Sequence, residues 1–325
     1  MKLSRRRVFH VVAGISASAL LSRTARAQAY PTRPVHIVSG FPPGGINDTY
    51  ARLMGQWLSE RVGQSFIVEN RPGAGGNIAA ESVVRAAPDG YTLLLCTSAD
   101  AWNSTLYENL KFNFMRDVAP IAIMARGIGI LVVHPSLPPK SVPELIAYVK
   151  SNPGKITVAS AGVGSAPHVY WELFRNLTGV EMVHVPYRGG GPALTDMIGG
   201  QVQVYFATAA ASIEYIRTGR LRPLATTGAT RSAVLPDIPA LAEFLPGYEA
   251  SIFVGIVGPR NTPTEVIGKL NKEINLGIAD PRIALRIAEL GDTALSLSPA
   301  GFGKLIAEET EKWAKLIRTA NIKAE

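Results

Sequence analysis

Short β-branched apolar runs alternate with amphipathic helical segments along most of the chain. Residues 35–38 have the length and composition of a buried strand, and a Gly/Pro turn then leads into a helix over residues 48–62. The same order of strand, loop and helix restarts at the apolar run 128–133. Alternating strands and helices are typical of βαβ units, so the pattern predicts an α/β fold with mostly parallel sheets flanked by helices.

The remaining predicted elements continue this alternation to the end of the chain. Further strands are predicted at residues 66–68, 92–96, 156–158, 182–185, 202–206, 224–226 and 252–257. Further helices are predicted at residues 78–87, 142–150, from the 161–165 loop to about 177, after Pro192, and at 264–277, 281–290 and 299–317. The restart in the middle indicates two α/β lobes, with the last helices returning to the first lobe.

The positive charge of the chain is concentrated at its beginning. The sequence has 33 basic and 25 acidic residues, and residues 1–27 hold six of the basic residues and no acid. The rest of the chain is therefore nearly neutral, with 27 basic against 25 acidic residues. A nucleic-acid-binding protein would be expected to keep a basic surface, so no nucleic-acid partner is predicted.

Residues 1–27 have the order of an export signal. Three arginines, Arg5 to Arg7, precede an apolar run of 14 residues at 8–21, and small residues follow around Ala25 and Ala27. A span of the bilayer needs about 20 apolar residues, so a cleaved signal and a periplasmic mature protein are predicted. Arg6 and Arg7 fit the twin-arginine pattern incompletely, and the choice between that route and general secretion stays open.

The sequence shows no set of residues typical of catalysis. The one cysteine, Cys96, excludes an intramolecular disulfide and any multi-cysteine metal site. Nucleophile-elbow and Walker A motifs are absent, and residues 73–78 lack the third glycine of the dinucleotide fingerprint. The histidines of the mature chain have no metal-ligand spacing. We therefore predict a protein that is not an enzyme, with no catalytic residue, metal or cofactor.

Two glycine-rich loops recur between a strand and a helix, at residues 41–48 and 162–168. Glycine lets the backbone approach a ligand, and the free N–H groups at a helix N-terminus attract anions. One such loop is often a plain turn, but one in each lobe suggests a clamp for a negatively charged solute. If the amides of these loops hold the anion, a side chain at Gly44 or Gly164 is expected to block it.

The first of these loops and seven other segments resemble the substrate-binding receptors of tripartite tricarboxylate transporters, also called Bug receptors. The matching segments are 41–48, 69–78, 89–93, 172–174, 184–189, 191–196, 199–202 and 235–239. The resemblance implies the type II, Venus-flytrap form of the two-lobed periplasmic binding-protein fold. It implies one lobe of residues 30–127 plus 253–325, a second lobe of residues 128–252, and a carboxylate held between them by backbone amides and ordered waters.

The resemblance also implies which residues surround the ligand. They come from the two glycine loops, the end of the third strand and the turn after residue 186, and they are Phe41, Pro43, Gly44, Gly45, Asn47, Asp48, Ser98, Trp102, Gly162, Gly164, Ser165, His168, Tyr187 and Arg188.

Several of these residues have a second interpretation. Asp48 would repel a carboxylate, so it either caps its helix or contacts a ligand that carries an amine. Ser165 either donates its hydroxyl to the ligand or caps its helix. His168 either binds or supports the loop, and Arg188 is either a cationic partner of the ligand or a solvated surface residue.

Other positions are expected to adjust ligand choice. Tyr187 and Trp102 either stack on an aromatic acid or only form the wall of the cleft. The chain departs from the usual family pattern at residues 46–47, 99–102 and 207–209, where an Asp common in the family is missing from the last segment. No individual ligand can therefore be transferred from the family to this chain.

The leading functional hypothesis is a monomeric extracytoplasmic receptor for a small carboxylate, which is a di- or tricarboxylate, an amino acid or an aromatic acid. The resemblance implies the small and large membrane subunits of a tripartite tricarboxylate transporter as partners. Two alternatives are a secreted enzyme and a ligand-sensing component on a related two-lobed fold. The lack of a catalytic set argues against the first, and the export signal and the lack of a helix-turn-helix segment argue against a transcriptional sensor.

The charge distribution yields a prediction about the exported form. We expect the mature chain to begin at Gln28 or Tyr30 and to be nearly neutral, because cleavage removes six basic residues and no acidic one. Intact-mass measurement of protein from the periplasm tests this. Periplasmic protein that retains residues 1–27 would contradict it.

Overall fold

The protein is described here by a computed structural model that covers residues 30–107, 109–232, 235–319 and 322. The predicted export signal at residues 1–27 lies outside these residues. The described residues from 33 onward form one compact unit. The strands are β1 (Val35–Ser39), β2 (Phe66–Asn70), β3 (Thr92–Thr97), β4 (Val118–Val133), β5 (Thr157–Ser160), β6 (Val183–Pro186), β7 (Val204–Thr208), β8 (Arg222–Thr226), β9 (Ser251–Pro259) and β10 (Thr293–Ala294).

Helices follow most of the strands. They are α1 (Ile46–Val62), α2 (Asn77–Val84), α3 (Ser98–Leu106), α4 (Phe114–Asp117), α5 (Val142–Ser151), α6 (Ala166–Thr178), α7 (Gly190–Ile198), α8 (Ala209–Arg217), α9 (Thr264–Ala279), α10 (Pro281–Glu289) and α11 (Pro299–Thr319). Two short 3₁₀ turns occur at Ala74–Gly76 and Leu241–Glu243. None of the helices in the described part of the chain has both the length and the apolar character needed to span a bilayer.

The strands are joined into a mixed sheet of order β2-β1-β3-β9-β4-β7-β5-β6, with β8 and β10 also paired to β4. Within it, β1 pairs in parallel with β2 and β3, and β5 pairs in parallel with β6 and β7. The prediction of parallel βαβ units is therefore confirmed for these outer strands. The central strands β4 and β9 are antiparallel to each other and to their neighbours, so the sheet is more mixed than the alternation predicts.

The long strand β4 connects the two groups of parallel strands. Its residues 118–128 pair with β9, and its residues 129–133 pair with β7. The sequence predicts only 128–133 of this strand. The first half contains Pro120, and its pairing with β9 changes register around Ile121 and Met124. A single strand thus passes from one group of parallel strands to the other.

Each group of parallel strands has its own hydrophobic cluster. The first includes Val38 of β1, Cys96 of β3, Phe253 of β9 and Phe302 of α11. The second includes Ile130 of β4, with residues of β5, β7 and α7. Helix α11 belongs to the first cluster, and the ring of its Trp313 meets that of Trp102 of α3 edge-on, with centroids 5.0 Å apart. Apolar burial is the main favourable term that holds each group together.

The sequence pattern misses α3 and α8, which both begin directly after a strand. Helix α3 begins with a capping box, in which the Thr97 hydroxyl accepts from the Ala99 amide and the Asp100 carboxylate accepts from the Thr97 amide at 2.8 Å. A Thr followed three residues later by an acid is a recognised start signal, so α3 was predictable. Thr208, at the start of α8, makes no such bond, and α8 has no comparable signal.

The packing of β9 against α11 leads to a prediction about stability. A Cβ atom at Gly255 would clash with the ring of Phe302 and lie 2.8 Å from the carbonyl oxygen of Ala122. We expect G255A to lower the free energy of unfolding by about 1–3 kcal/mol, because one neighbour is rigid backbone. Gly268, in α9, faces open space, so G268A should raise the free energy of unfolding by about 0.5–1 kcal/mol. Urea denaturation of both variants measures the difference, and equal stabilities would contradict the prediction.

Candidate functional site

A cavity lies at the carboxyl ends of the parallel strands. It holds about 470 Å³ of space free of protein atoms, part of it open to solvent. The lining residues come from strand ends, loops and first helical turns, and they are Phe41, Gly45, Ile46, Asn47, Thr97, Ala99, Ala161, Ser165, Ala166, Pro167, Gly190, Tyr205, Thr208, Ala211 and Ile252.

Five helices begin at this cavity. The lining residues include the first turns or N-caps of α1, α3, α6, α7 and α8. This convergence follows from the topology, because parallel strands end at one edge of a sheet and the next helix starts there. A helix N-terminus carries a partial positive charge of about half a unit, so the cavity has a positive potential without a cationic side chain.

The first turns of α1 and α6 also supply backbone donors. The first bond within α1 runs from the Thr49 amide to the Gly45 carbonyl, at 3.0 Å, and in α6 the Val169 amide donates to the Ser165 carbonyl, at 3.1 Å. The amides that precede these two have no carbonyl of their own helix to pair with. Among these unpaired amides are those of Ile46 and Asn47, two residues that line the cavity. The chain thus presents N–H groups to an anion.

No charged side chain is among the lining residues that the structure describes. Three polar side chains in the lining, those of Asn47, Tyr205 and Thr208, have no hydrogen-bond partner within the described chain, and all are at least nine-tenths buried. Burial raises the pKa of Tyr205, so its hydroxyl stays protonated and able to donate. These groups can bind a ligand that brings its own acceptors.

The first glycine loop is held by an internal brace. Phe41, Gly45 and Asn47 line the cavity, whereas Pro43 and Gly44 are exposed outside its lining. The Gly44 amide donates to the Asp48 carboxylate at 3.1 Å, so the expectation that this amide holds the anion is not what the structure shows.

Asp48 braces the first loop from inside. Its carboxylate also accepts from Asn70 at 3.0 Å and pairs with Arg52 at 2.9 Å. Burial raises its pKa, but the bonds from Arg52, Gly44 and Asn70 outweigh burial and leave the pKa below its usual value. Asp48 lies outside the cavity lining, and its bonds are those of a loop support near the helix start rather than of an N-cap.

The second glycine loop is braced in a similar way. The Gly164 amide donates to Nδ1 of His168 at 3.3 Å, and burial lowers the pKa of His168 to about 3, so the ring is neutral and can accept. The Ser165 hydroxyl donates to the Gly162 carbonyl at 2.6 Å. Ser165 therefore lines the cavity with its hydroxyl proton bound within its own loop, and it does not cap α6, which corrects the capping interpretation.

The side chains of Ser98 and Trp102 are engaged away from the cavity. The Ser98 oxygen accepts from the Phe253 amide at 2.9 Å. Trp102 is fully buried, and its Nε1 donates to the Gly164 carbonyl at 2.8 Å. Neither residue is in the cavity lining, and Trp102 has no exposed face on which a ligand could stack.

Gly162, Gly164, Tyr187 and Arg188 are also outside the cavity lining. The Tyr187 hydroxyl donates to Asp196 at 2.8 Å, so it fixes α7 to the preceding turn. Arg188 is exposed and forms no ion pair among the described residues, which agrees with a solvated side chain. A Cβ atom at Gly164 would lie 2.8 Å from Oδ1 of Asn103 in α3, so this glycine is needed for packing on α3 rather than for access of an anion.

Sequence reasoning omits two of the three unpartnered polar side chains of the cavity, those of Tyr205 and Thr208, from the predicted site residues. Tyr205 reads as one more core residue of a strand, and only tertiary structure places its hydroxyl in the lining. Thr208 lies in the segment 207–209 that departs from the family pattern, and Ile46 and Ala99 lie in the other two departing segments. Each of the three departing segments thus contributes at least one residue to the lining. Among the described residues, no group of three or more His, Cys, Asp or Glu could hold a metal ion.

Comparison with known proteins gives a consistent result. Residues 50–322 match the model of the tripartite tricarboxylate transporter family receptor. The chain is 33% identical to the protein BugT of Bordetella pertussis over 320 residues, which are 98% of each chain.

Two solved structures resemble the fold closely. One is Rpa4515 of R. palustris with adipate, with a TM-score of 0.88 at 36% identity, over 90% of this chain and 99% of that one. The other is MatC of Rhodopseudomonas palustris with bound malate, with a TM-score of 0.85 at 30% identity, over 89% of this chain and all of that one. The predicted two-lobed periplasmic binding-protein fold is confirmed.

The unpartnered hydroxyl of Tyr205 leads to a prediction about stability. A buried hydroxyl without a partner is unfavourable, so Y205F should leave the thermal midpoint of the ligand-free protein unchanged or raise it. Tyr50 is the matched control, because its hydroxyl donates to the buried Asp292 carboxyl at 2.8 Å. Y50F should therefore lower the free energy of unfolding by about 1–3 kcal/mol. Calorimetric melts of both variants measure this, and a Y205F loss as large as that of Y50F would show that Tyr205 has a structural partner.

Proposed function

This chain belongs to the family of tripartite tricarboxylate transporter receptors, and from that premise we propose that its cavity binds a small carboxylate outside the cytoplasmic membrane. The bound acid is then presented to the small and large membrane subunits of such a transporter. The mature protein acts as a monomeric periplasmic receptor rather than as an enzyme.

The proposal rests on one observation above all. Five helices begin at a cavity whose described lining residues include no charged side chain. An anion there gains from the macrodipoles and from the free amides of the first turns. A cation would face the same partial charges with no carboxylate in the lining to compensate them. The backbone around the cavity therefore favours a ligand with a negative charge.

The ligands of the similar structures support the choice of anion. Rpa4515 is described with adipate and MatC with malate, and both structures cover about nine-tenths of this chain. We infer that this chain uses its corresponding cavity for the same chemical class. Of the residues implied by the resemblance, Phe41, Gly45, Asn47 and Ser165 form part of the ligand site, and Tyr205 and Thr208 complete it.

The remaining residues of the predicted site support it indirectly. Asp48 and His168 fix the two glycine loops by accepting from Gly44 and Gly164. The proposed lobes, 30–127 plus 253–325 and 128–252, are supported by the position of their boundaries in β4 and β9, near the change of pairing partner along β4. These two paired strands then form the hinge about which the lobes close on the acid.

Calorimetry on the ligand-free mature protein tests the proposal directly. Adipate, malate and benzoate are titrated separately, and adipamide serves as the uncharged control. We expect at least one acid to bind and adipamide to fail, because an amide lacks the charge that the helix N-termini favour. If none of the acids binds, or if adipamide binds as tightly as adipate, the cavity does not recognise a carboxylate.

A pair of variants at Thr208 tests the location of the site. Asp and Asn are equally good N-caps, so T208D and T208N should both preserve α8. A carboxylate about 6 Å from the bound anion at an effective dielectric constant of about 20 repels it by about 3 kcal/mol. T208D should therefore weaken binding of the acid at least about tenfold relative to T208N. Equal affinities of the two variants would place the acid elsewhere.

A further inference from the structure

The wall of the cavity is more apolar than recognition of a carboxylate requires. We propose that the receptor selects carboxylic acids with an unhydroxylated hydrocarbon body, and that it discriminates against hydroxylated acids of the same length and charge. This inference rests on the proposed function, because it assumes that the carboxylate binds at the helix N-termini. It concerns the part of the ligand that the backbone amides do not hold.

The apolar surface surrounds the donors on several sides. Phe41 and Ile46 line the cavity next to the first turn of α1, Ile252 contributes from β9, and Ala99 and Ala211 contribute methyl groups from α3 and α8. A hydrocarbon body gains from leaving water for such a surface, in proportion to the area it buries. Each of these residues is therefore a contact for carbon rather than for oxygen.

The polar side chains of the lining offer few partners for extra hydroxyl groups. Thr97 already accepts from the Ala99 amide in the capping box of α3, and the Ser165 hydroxyl donates to the Gly162 carbonyl, so each of these hydroxyls has only part of its hydrogen-bonding capacity left. The unpartnered side chains in the lining are those of Asn47, Tyr205 and Thr208. These three suffice for the acceptors of carboxylate groups, but a polyhydroxylated chain brings more donors and acceptors than they can pair.

Ile46 is the residue on which the selection depends most. It is the first residue of α1 and is 8% exposed, beside the free amides of that helix. The carbon next to a carboxylate bound by these amides therefore lies near the Ile46 side chain. A hydroxyl group on that carbon would lose its water without gaining a partner from this branched alkyl group, which reduces affinity by about ten- to a hundredfold.

Acids that differ only in hydroxyl groups test the inference. Adipate and glucarate share a six-carbon skeleton and two carboxylates, and glucarate adds four hydroxyl groups. Succinate and malate form a second pair that differs by one hydroxyl. Calorimetry at one pH and ionic strength should show adipate binding at least about a hundredfold more tightly than glucarate, and succinate at least about tenfold more tightly than malate.

Two variants of Ile46 connect the selectivity to the structure. Val and Thr have nearly the same shape, so I46V and I46T differ in whether the side chain offers a hydroxyl group. I46V should keep the wild-type ratio of succinate to malate affinity within about threefold, whereas I46T should reduce that ratio by about tenfold. Far-ultraviolet circular dichroism and thermal melts confirm that both variants are folded. If either variant is unfolded, the two acid pairs on the wild-type protein decide the question.

The outcomes separate this inference from the proposed function. If hydroxylated and unhydroxylated acids bind equally well, the selection for an apolar body is wrong, but the chain remains a carboxylate receptor. If the wild-type protein discriminates but I46V and I46T give equal ratios, Ile46 is not the source of the selection, and its assignment to this side chain is wrong. If no acid binds to the wild-type protein, both the proposed function and this inference are wrong.

Discussion

The antiparallel pairing of β4 with β9 is the interaction on which the arrangement of the whole molecule depends. Residues 118–128 of β4 bond to β9, and the next five residues of β4 bond to β7. Parallel strands β1 to β3 therefore lie on one side of this pair and β5 to β7 on the other. Without the pair, the two sets of strand ends would have no fixed relation, and their helices would not begin around one cavity.

Within the cavity, backbone and side chains have different tasks. Helix starts provide the positive potential, and several of the side chains expected to touch the ligand instead hold the loops in place. Asp48 and His168 each accept the amide of a glycine, Gly44 and Gly164, four residues earlier in the chain. This repeated arrangement fixes two glycine loops at little cost, because each acceptor stands in the first turn of the helix that its own loop precedes.

Much of the fold was predictable from the sequence, since apolar periodicity and glycine loops give the strands and most of the helices. The starts of α5 and α10 carry Pro and a capping side chain, which are local signals. The site was predictable only in part. Trp102 was expected to face a ligand, but its indole bonds to a carbonyl 62 positions away. Such a partner depends on tertiary packing, as does the exposure of the Tyr205 hydroxyl to the cavity, and no local pattern encodes either.

The contacts between α3 and the loop after β5 have a consequence for the speed of exchange. Trp102 donates to the Gly164 carbonyl at 2.8 Å, and the Tyr107 hydroxyl donates to the Val163 carbonyl at 3.1 Å. Both bonds join parts of the chain on opposite sides of the β4–β9 pair, so an opening of the proposed lobes about this pair has to break them. Under the proposed function, the residence time of a captured molecule then depends in part on two bonds outside the cavity lining. Changes at this pair of aromatic residues can consequently alter release during evolution while the cavity wall stays the same.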